Sequence, residues 1–503
     1  MSKSSGNRGG SNGQATRTYR TYAPGERVFL AVPSKEVPEA LKLGAKWDRP
    51  GRVCWIHVNA DRAPFARWIV DDAALNAAGM NKADVIADFQ DAMKSYGLVP
   101  VDPVPDGQWH CAPLTTDKGS KIHQTHGGYR LSLDGVPHGA IRNFKGRSGT
   151  WRYQGARLSR VQLAAVEAQN KEREVLRQQH VEAEQKAVAD SILQILVPLA
   201  QAAGQVHGYL TKKGVRAHGL RIADGKTDDM AALLNMPKFK PGNAKWLVIP
   251  GRDVHDNLLT AQAIDPKGNK VFASGARKKG AFHVIGVRRA RELALAPAVL
   301  FCEGYATGAS LHESTGLPVV VSFDSGNLVE VARQFAPLLP ADQPKLVCGD
   351  NDQFFLEKSV DKVLAVGLNP AAKPEALRVL AGVNEATREI TLSGLVADGQ
   401  WHEGHHGKYR IAVHVERHIV CGVTVDVVQK GENHIRQTVR NAGIEAAQEA
   451  ARILNGKAIA PVFTSLDGRP TDFNDLQARE GTARVVEIIQ AELAFSLPAP
   501  LAA

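Results

Sequence analysis

Residues 344–352 read PKLVCGDND, an apolar run that stops on three oxygen-bearing side chains, Asp350, Asn351 and Asp352. Carboxylates at i and i+2 of an extended chain face the same way, about 6–7 Å apart. Like charges that close raise each other's pKa unless something positive lies between them. Taken alone the triplet reads as an ordinary turn, because Asp and Asn are common turn residues. Similar segments surround it. APAVLFCEG is an apolar run ending on Glu303, GLPVVVSFDSGN ends near Asp324, and KAIAPVFTS follows the helix-like IEAAQEAARILNG. Apolar runs alternating with helical stretches predict a parallel sheet covered on both faces. Right-handed crossovers bring the strand C-termini to one edge, where ligand crevices lie. Glu303, Asp350 and Asp352 therefore converge by topology. Three carboxylates without interleaved His or Cys suit a hard, oxygen-seeking ion, Mg²⁺ or Mn²⁺, which removes the repulsion.

The rest of the chain sets the surroundings. At 503 residues it is too long for one core. Its 62 Lys and Arg exceed its 52 Asp and Glu, and the net +10 fits a polyanionic partner. Cys54, Cys111, Cys302, Cys348 and Cys421 are scattered with no C-x-x-C pair, so neither zinc nor a disulfide framework is expected. Reduced thiols, no signal core and no apolar run near the ~20 residues of a bilayer span predict a cytoplasmic protein without a membrane partner.

Along the chain, residues 1–25 read as a disordered basic tail, rich in Gly, Ser, Asn and Arg. Residues 26–72 form a small α+β module with Trp47 and Trp55 expected in its core. A helical linker, 73–102, precedes a small β-rich unit, 103–155, and a charged helical spacer follows over 156–203, docked only at its apolar end. The words DGQWHCAP…GGYRLSLDG, from Asp106, return as DGQWHEGHHGKYRIAVH, from Asp398, so two related β units are expected. Their histidines (His110, His123, His126; His402, His405, His406) differ in spacing between copies and read as surface residues.

With these words in place, a family resemblance appears. An E-G after one strand and D-x-D after a later one resemble the Toprim domain of primases, topoisomerases and some nucleases. CEGYATGASL resembles the Toprim opening of plasmid and phage primases, and LVIPGRDVHDNLLTAQAIDPKGNKVFASGARKKGAFHVIG (247–286) the segment preceding it. GRPTDFNDLQAREG (468–481) resembles the acidic segment that follows. With HGYLTKKGVRAHGL (207–220), the set resembles plasmid-conjugation primases of the TraC type over roughly residues 100–495. LGAKWD and CWIHV near the N-terminus resemble a small domain of unknown function that recurs in plasmid-borne replication and transfer proteins.

The resemblance implies an α/β fold. A Rossmann-like Toprim parallel sheet spans 297–495 with an insertion at 355–433, and an α+β primase subdomain spans 204–296. It implies catalytic and metal roles for Glu303, Asp350 and Asp352, and supporting acidic roles at the metal edge for Asp472 and Asp475. Arg252, Asp253, Arg277, Lys278 and Lys279 would line the path of nucleic acid and incoming nucleotide. The implied activity is synthesis of short RNA primers on single-stranded DNA from ribonucleoside triphosphates, with Mg²⁺ or Mn²⁺, among plasmid replication or conjugation proteins. Two departures stand out. Thr307 occupies the position four after Glu303 where cellular primases often carry Asp, and no zinc ribbon precedes the core. A Toprim nuclease shares the carboxylates but gives no reason for the PGRD…GARKKG segment. A non-catalytic single-strand-binding protein is the third class, and the three intact carboxylates argue against it.

Overall fold

The structure is a computed structural model. It describes residues 22–494 except 116–125, 144–147, 156, 203–206, 225–228, 238, 241, 353, 355–381, 384–389, 392–400, 407–408, 419–421 and 430–432; over 382–439 it gives the course of the backbone alone. Nearly all of the N-terminal tail, His123, Cys421, most of the insertion and the side chains of His402, His405 and His406 thus lie outside the described residues. The chain divides into two compact units, Met1–His180 and Val181–Ala503.

The first unit holds two small sheets. Arg27–Leu30 and Lys46–Asp48 flank Val53–His57 in antiparallel pairing. One face buries Leu30, Cys54, Ile56, Phe65 and Trp68; the other packs Phe29 and Trp55 against Ala165 of the helix Arg160–Leu196. Trp55 is core, as expected. Trp47 is not: on a three-residue edge strand it stays 43% exposed. The expectation of an undocked charged helix also fails. Buried Glu172 of that helix receives the Arg27 guanidinium, which also meets Asp48 at 3.0 Å, so one of its charges sits in the docked face beside Ala165.

The second sheet runs His110–Ala112, Gly127–Ser132, His138–Asn143 and Gly149–Arg152, each strand antiparallel to the next. Helix Lys82–Ser95, placed in a linker by the sequence reading, is its other layer: Phe89 and Met93 pack on Tyr129, Leu131 and Ile141. The repeated words at 398 onward lead into a second four-stranded meander, Trp401–His406, Tyr409–His418, Gly422–Gln429 and Asn433–Arg440. The two share strand order but not register: His110 pairs with Tyr129, whereas His402 pairs with Val413. This sheet also runs to Arg440, past the expected end of the insertion at 433.

In the second unit an antiparallel sheet carries the strands 200–201, 221–224, 245–252, 258–264 and 270–272. Beside it in sequence comes a mixed sheet of β1 (His283–Ile285), β2 (Val299–Cys302), β3 (Val319–Val321), β4 (Lys345–Cys348) and β5 (Lys457–Ile459). The spatial order is β1-β3-β2-β4-β5; β2 to β5 are parallel and the edge strand β1 is antiparallel to β3. A purely parallel sheet was expected, and β1, only three residues long, is the addition.

Helices α1 (Tyr305–Thr315), α2 (Ser325–Phe335), α3 (Ala442–Leu454) and α4 (Phe473–Glu480) cover the sheet. Leu300 and Cys302 of β2 face α1 and α4, while Val299 and Phe301 face α2 and α3. Burial on both faces explains why these strands read as unbroken apolar runs.

Candidate active site

The chain leaves β2 toward β3 on one side and leaves β4 toward β5 on the other. Connections that diverge from adjacent parallel strands open a crevice at their carboxyl ends. Glu303 follows β2 and Asp350 follows β4, with Cys302 and Cys348 side by side in register. Glu303 Oε1 and Asp350 Oδ1 are each buried without a hydrogen-bond partner among the described residues. Burial, then the charges of Asp352 and Asp324, pushes the Glu303 carboxyl up to about 7, while the amides of Asp350 and Ser325 pull the other way. Burial, then Glu303, Asp472 and Asp352, pushes Asp350 up to about 8, opposed by Lys270. Two carboxylates that cannot both ionise cheaply mark a cation site or a shared proton.

Hydrogen bonds with Asn441 and Thr471 tie down the segment that carries Asp350 and Asp352. Asn441 caps α3 by accepting from the Ile444 amide; the same oxygen accepts from the Asp352 amide at 3.2 Å, and its Nδ2 donates to Asn351 Oδ1 at 3.0 Å. Asn351 itself donates its amide to the Thr471 carbonyl at 2.7 Å, so the middle residue of the triplet is a clamp. The N-terminus of α3 comes so close that a Cβ on Gly443 would stand 2.3 Å from the Asp350 carbonyl and 3.1 Å from Glu303 Oε1. The positive end of that helix faces the carboxylates. G443A is expected to destabilise the fold by about 1–3 kcal/mol in urea titrations, because backbone blocks the new methyl. G326A, whose Cβ would meet only Asp324 Oδ1 at 3.5 Å, should change little.

A cavity of about 240 Å³ opens beside Asp350 and Asp472, and Lys212, Lys213, Lys267 and Lys270 stand in its wall. Gly304, Ala306 and Thr307, at the start of α1, complete it. Lys270 keeps an exposed side chain, yet desolvation, then Lys213, holds its pKa down, and Asp350 and Asp472 oppose that shift. Asp472 is raised by burial and by Asp475, and caps α4 by accepting from the Asp475 amide at 2.7 Å. Acids line one side and lysines the other. That arrangement suits a polyphosphate with its cation.

The residues expected from the sequence are thus sorted. Glu303, Asp350, Asp352 and Asp472 form one electrostatic cluster. Asp475 turns instead to the Thr471 amide at 2.9 Å and to Lys213 at 3.7 Å. Arg252, Asp253 and Arg277 line a different cavity, of about 450 Å³, in which Glu303, Asp350, Asp352 and Asp472 take no part. There Asp253 closes its own turn through the His255 and Asn257 amides. Lys278 pairs with Asp324 and Lys279 with Glu330 at 3.3 Å, so these two lysines lean on α2 and its cap. Not foreseen were Lys270, Lys213, Asn441 and Gly443. The lysines lay within the quoted YLTKKG and DPKGNK words, and Asn-Ala-Gly before a helical run was a legible cap.

As the side chains lie, no group of three or more His, Cys, Asp or Glu among the described residues stands in position to hold a metal ion. The fit for a divalent cation rests on the two unpartnered oxygens of Glu303 and Asp350, both hard donors. No described helix is long and apolar enough to cross a membrane.

Residues 27–69 match the model of a domain of unknown function, DUF5710. The chain is 30% identical over 471 residues to a DNA primase TraC of Escherichia coli, covering 90% of this chain and 28% of that protein. A second DNA primase TraC from the same species is 32% identical over 343 residues, covering 66% of this chain and 30% of the relative. Among solved structures, the primase fragment of the bacteriophage T7 primase-helicase protein aligns with a TM-score of 0.26 at 12% identity, over 56% of this chain and 73% of that one, too slight a likeness to bear on the fold. The chain spans less than a third of each curated relative it matches, and within that span it is a homologue of DNA primase TraC.

Proposed function

We propose that this chain is a primase-type nucleotidyltransferase that joins ribonucleotides into short primers on single-stranded DNA, in plasmid replication or conjugative transfer. The observation that carries the reading is the half-buried Glu303–Asp350 pair at the diverging strand ends, each with one buried, unpartnered oxygen, beside a small cavity that Asp350 shares with four lysines. The mixed, mostly parallel sheet with E-G and D-x-D at two adjacent strand ends supports reading this part of the chain as a Toprim domain. Glu303 and Asp350, with Asp352 and Asp472 beside them, would hold Mg²⁺ or Mn²⁺. When bound, such an ion neutralises the phosphates and activates the attacking hydroxyl.

The protein's own groups do the rest. Lys212, Lys213, Lys267 and Lys270 bind the triphosphate oxygens, and the open amides at the start of α1 add donors for an anion. Lys270 lies against the acids, so it orients the phosphate chain toward them. Arg252 and Arg277, in the larger cavity, take the template or primer backbone, while the Asn351–Asn441 clamp keeps the carboxylates fixed as charge moves.

Incubation of the purified chain with single-stranded DNA, labelled ribonucleoside triphosphates and Mg²⁺ or Mn²⁺ is expected to yield short template-dependent products. Degradation of the DNA without any incorporation would replace synthesis with the nuclease reading. Absence of both reactions would remove the catalytic proposal.

A further inference from the structure

The four-stranded sheet of the first unit buries one face and leaves the other open. Tyr129, Leu131 and Ile141 point into the core. Register puts the alternate residues together on the opposite face: Cys111 beside Gly128, Gly128 beside Arg142, Arg130 beside Ala140, and His138 beside Arg152. Trp109, 41% exposed, lies over this face, where a Cβ on Gly128 would touch its ring at 3.6 Å. The Arg142 guanidinium stands 4.0 Å from the indole centroid and that of Arg130 5.7 Å. None of the ladder pairs on this face is acidic, and Asp106, bridged to Ser132 at its edge, is engaged by His110 at 2.9 Å.

Toward one end the helix Arg160–Leu196 borders the face across a cavity of about 360 Å³, which Arg130 and His138 enter from the sheet and Lys171 and Arg177 from the helix. Three acidic side chains reach this cavity too: Asp134 is paired with Arg173 and Arg177, Glu174 with Arg177, and Glu167 stands in the wall beside them. The open surface therefore combines one large aromatic ring with three arginines.

We infer that this face is a binding platform for single-stranded nucleic acid, with an unpaired base stacking on Trp109 and phosphates meeting Arg130, Arg142 and Arg152. Every base offers a π-face, so such stacking is tolerant of sequence, and arginines beside an aromatic ring serve both the ring and the backbone. Duplex does not fit, because its bases are already stacked and paired. An acidic peptide would engage the arginines but would give the exposed indole no partner. The choice of DNA rather than RNA rests on the function proposed above; the stacking argument does not.

The test is fluorescence anisotropy on the full chain with labelled oligodeoxythymidine, without nucleotide or metal. W109A is expected to weaken binding by about tenfold or more, and W109F, which keeps a ring, by no more than about threefold. On an abasic strand of equal length W109A should bind like the wild type, since only phosphates remain. Replacing both Arg130 and Arg142 with Gln should reduce the slope of log affinity against log salt by about 1.4. Unchanged binding by W109A, an equal loss on the abasic strand, or an equal loss on duplex of the same sequence would each overturn the platform. An oligouridine arm that binds tighter than the DNA would move the ligand to RNA and refute the choice of DNA. Because binding is read without catalysis, a chain that makes no primer yet behaves this way refutes the synthesis reading alone.

Discussion

Replacing Asp350 with Asn, or Glu303 with Gln, is expected to lower primer synthesis by about a thousandfold or more, the scale of a lost cation site. Each change keeps the size of the side chain and removes the charge that would hold the ion. Asp352→Asn should fall in the same direction, because Asp352 belongs to the same charge cluster. Asp475→Asn makes the contrast. Its carboxylate accepts from the Thr471 amide and leans on Lys213, outside the central pair, so synthesis should stay within about tenfold of wild type while stability drops slightly. Circular dichroism and single-strand binding should be nearly unchanged in all four variants. Wild-type synthesis by Asp350→Asn would remove the cation centre, and with it the chemical basis of the proposal.

The second large effect is on stability without metal. Glu303 and Asp350 are raised to about 7 and about 8 in the folded chain, against the usual carboxylate range near 4 when unfolded. A raised carboxyl binds its proton more tightly when folded. Its favourable contribution is therefore complete below about pH 4 and is lost as pH rises through 7 and 8. In chelator, the stability of Asp350→Asn relative to wild type should rise by about 4 kcal/mol between pH 5 and pH 8.5, in favour of the variant. Added Mg²⁺ should raise the melting temperature of the wild type more at pH 8 than at pH 6, and should do little for the variant. Denaturant titrations across this range measure both. If Asp350→Asn is the less stable protein at pH 8.5, the carboxyl has a partner that outweighs its burial and its like-charged neighbours.

Much of the second unit was legible because its strands are buried on both faces. LFC, VVV and KLVC contain no polar residue that would obscure the run apart from a terminal lysine, and the acids follow directly at their ends. Glu303 and Asp350 could therefore be placed before any contact was known. β1 was not legible: three residues, HVI, carry too little pattern to mark a strand or its direction. Asn441 and Gly443 escaped because their partners lie about ninety positions earlier, and a cap seen in sequence says nothing about which loop it grips.

Lys213 and Lys270 look like any loop lysine until the fold brings acidic neighbours to them. In the first unit the helix Arg160–Leu196 misled for a related reason. Alternating charges read as a solvated face, yet Glu172 is buried by a specific arginine from a strand 145 positions away. Composition describes what a side chain is, and only topology describes what it meets. Trp47 shows the reverse, a large apolar residue left at a sheet edge because its strand is too short to be covered.

The hydrogen bond from the Asp352 amide to Asn441 spans 89 positions of sequence. The two ends of the long segment between β4 and α3 therefore meet at one shared point. Cutting the peptide bond anywhere inside that segment would divide the protein into two pieces, one bearing Glu303 and Asp350, the other Gly443 and Asp472. The pairing of β4 with β5 would still join them. Two fragments divided there are expected to meet along that strand pair and bring the whole carboxylate cluster back together.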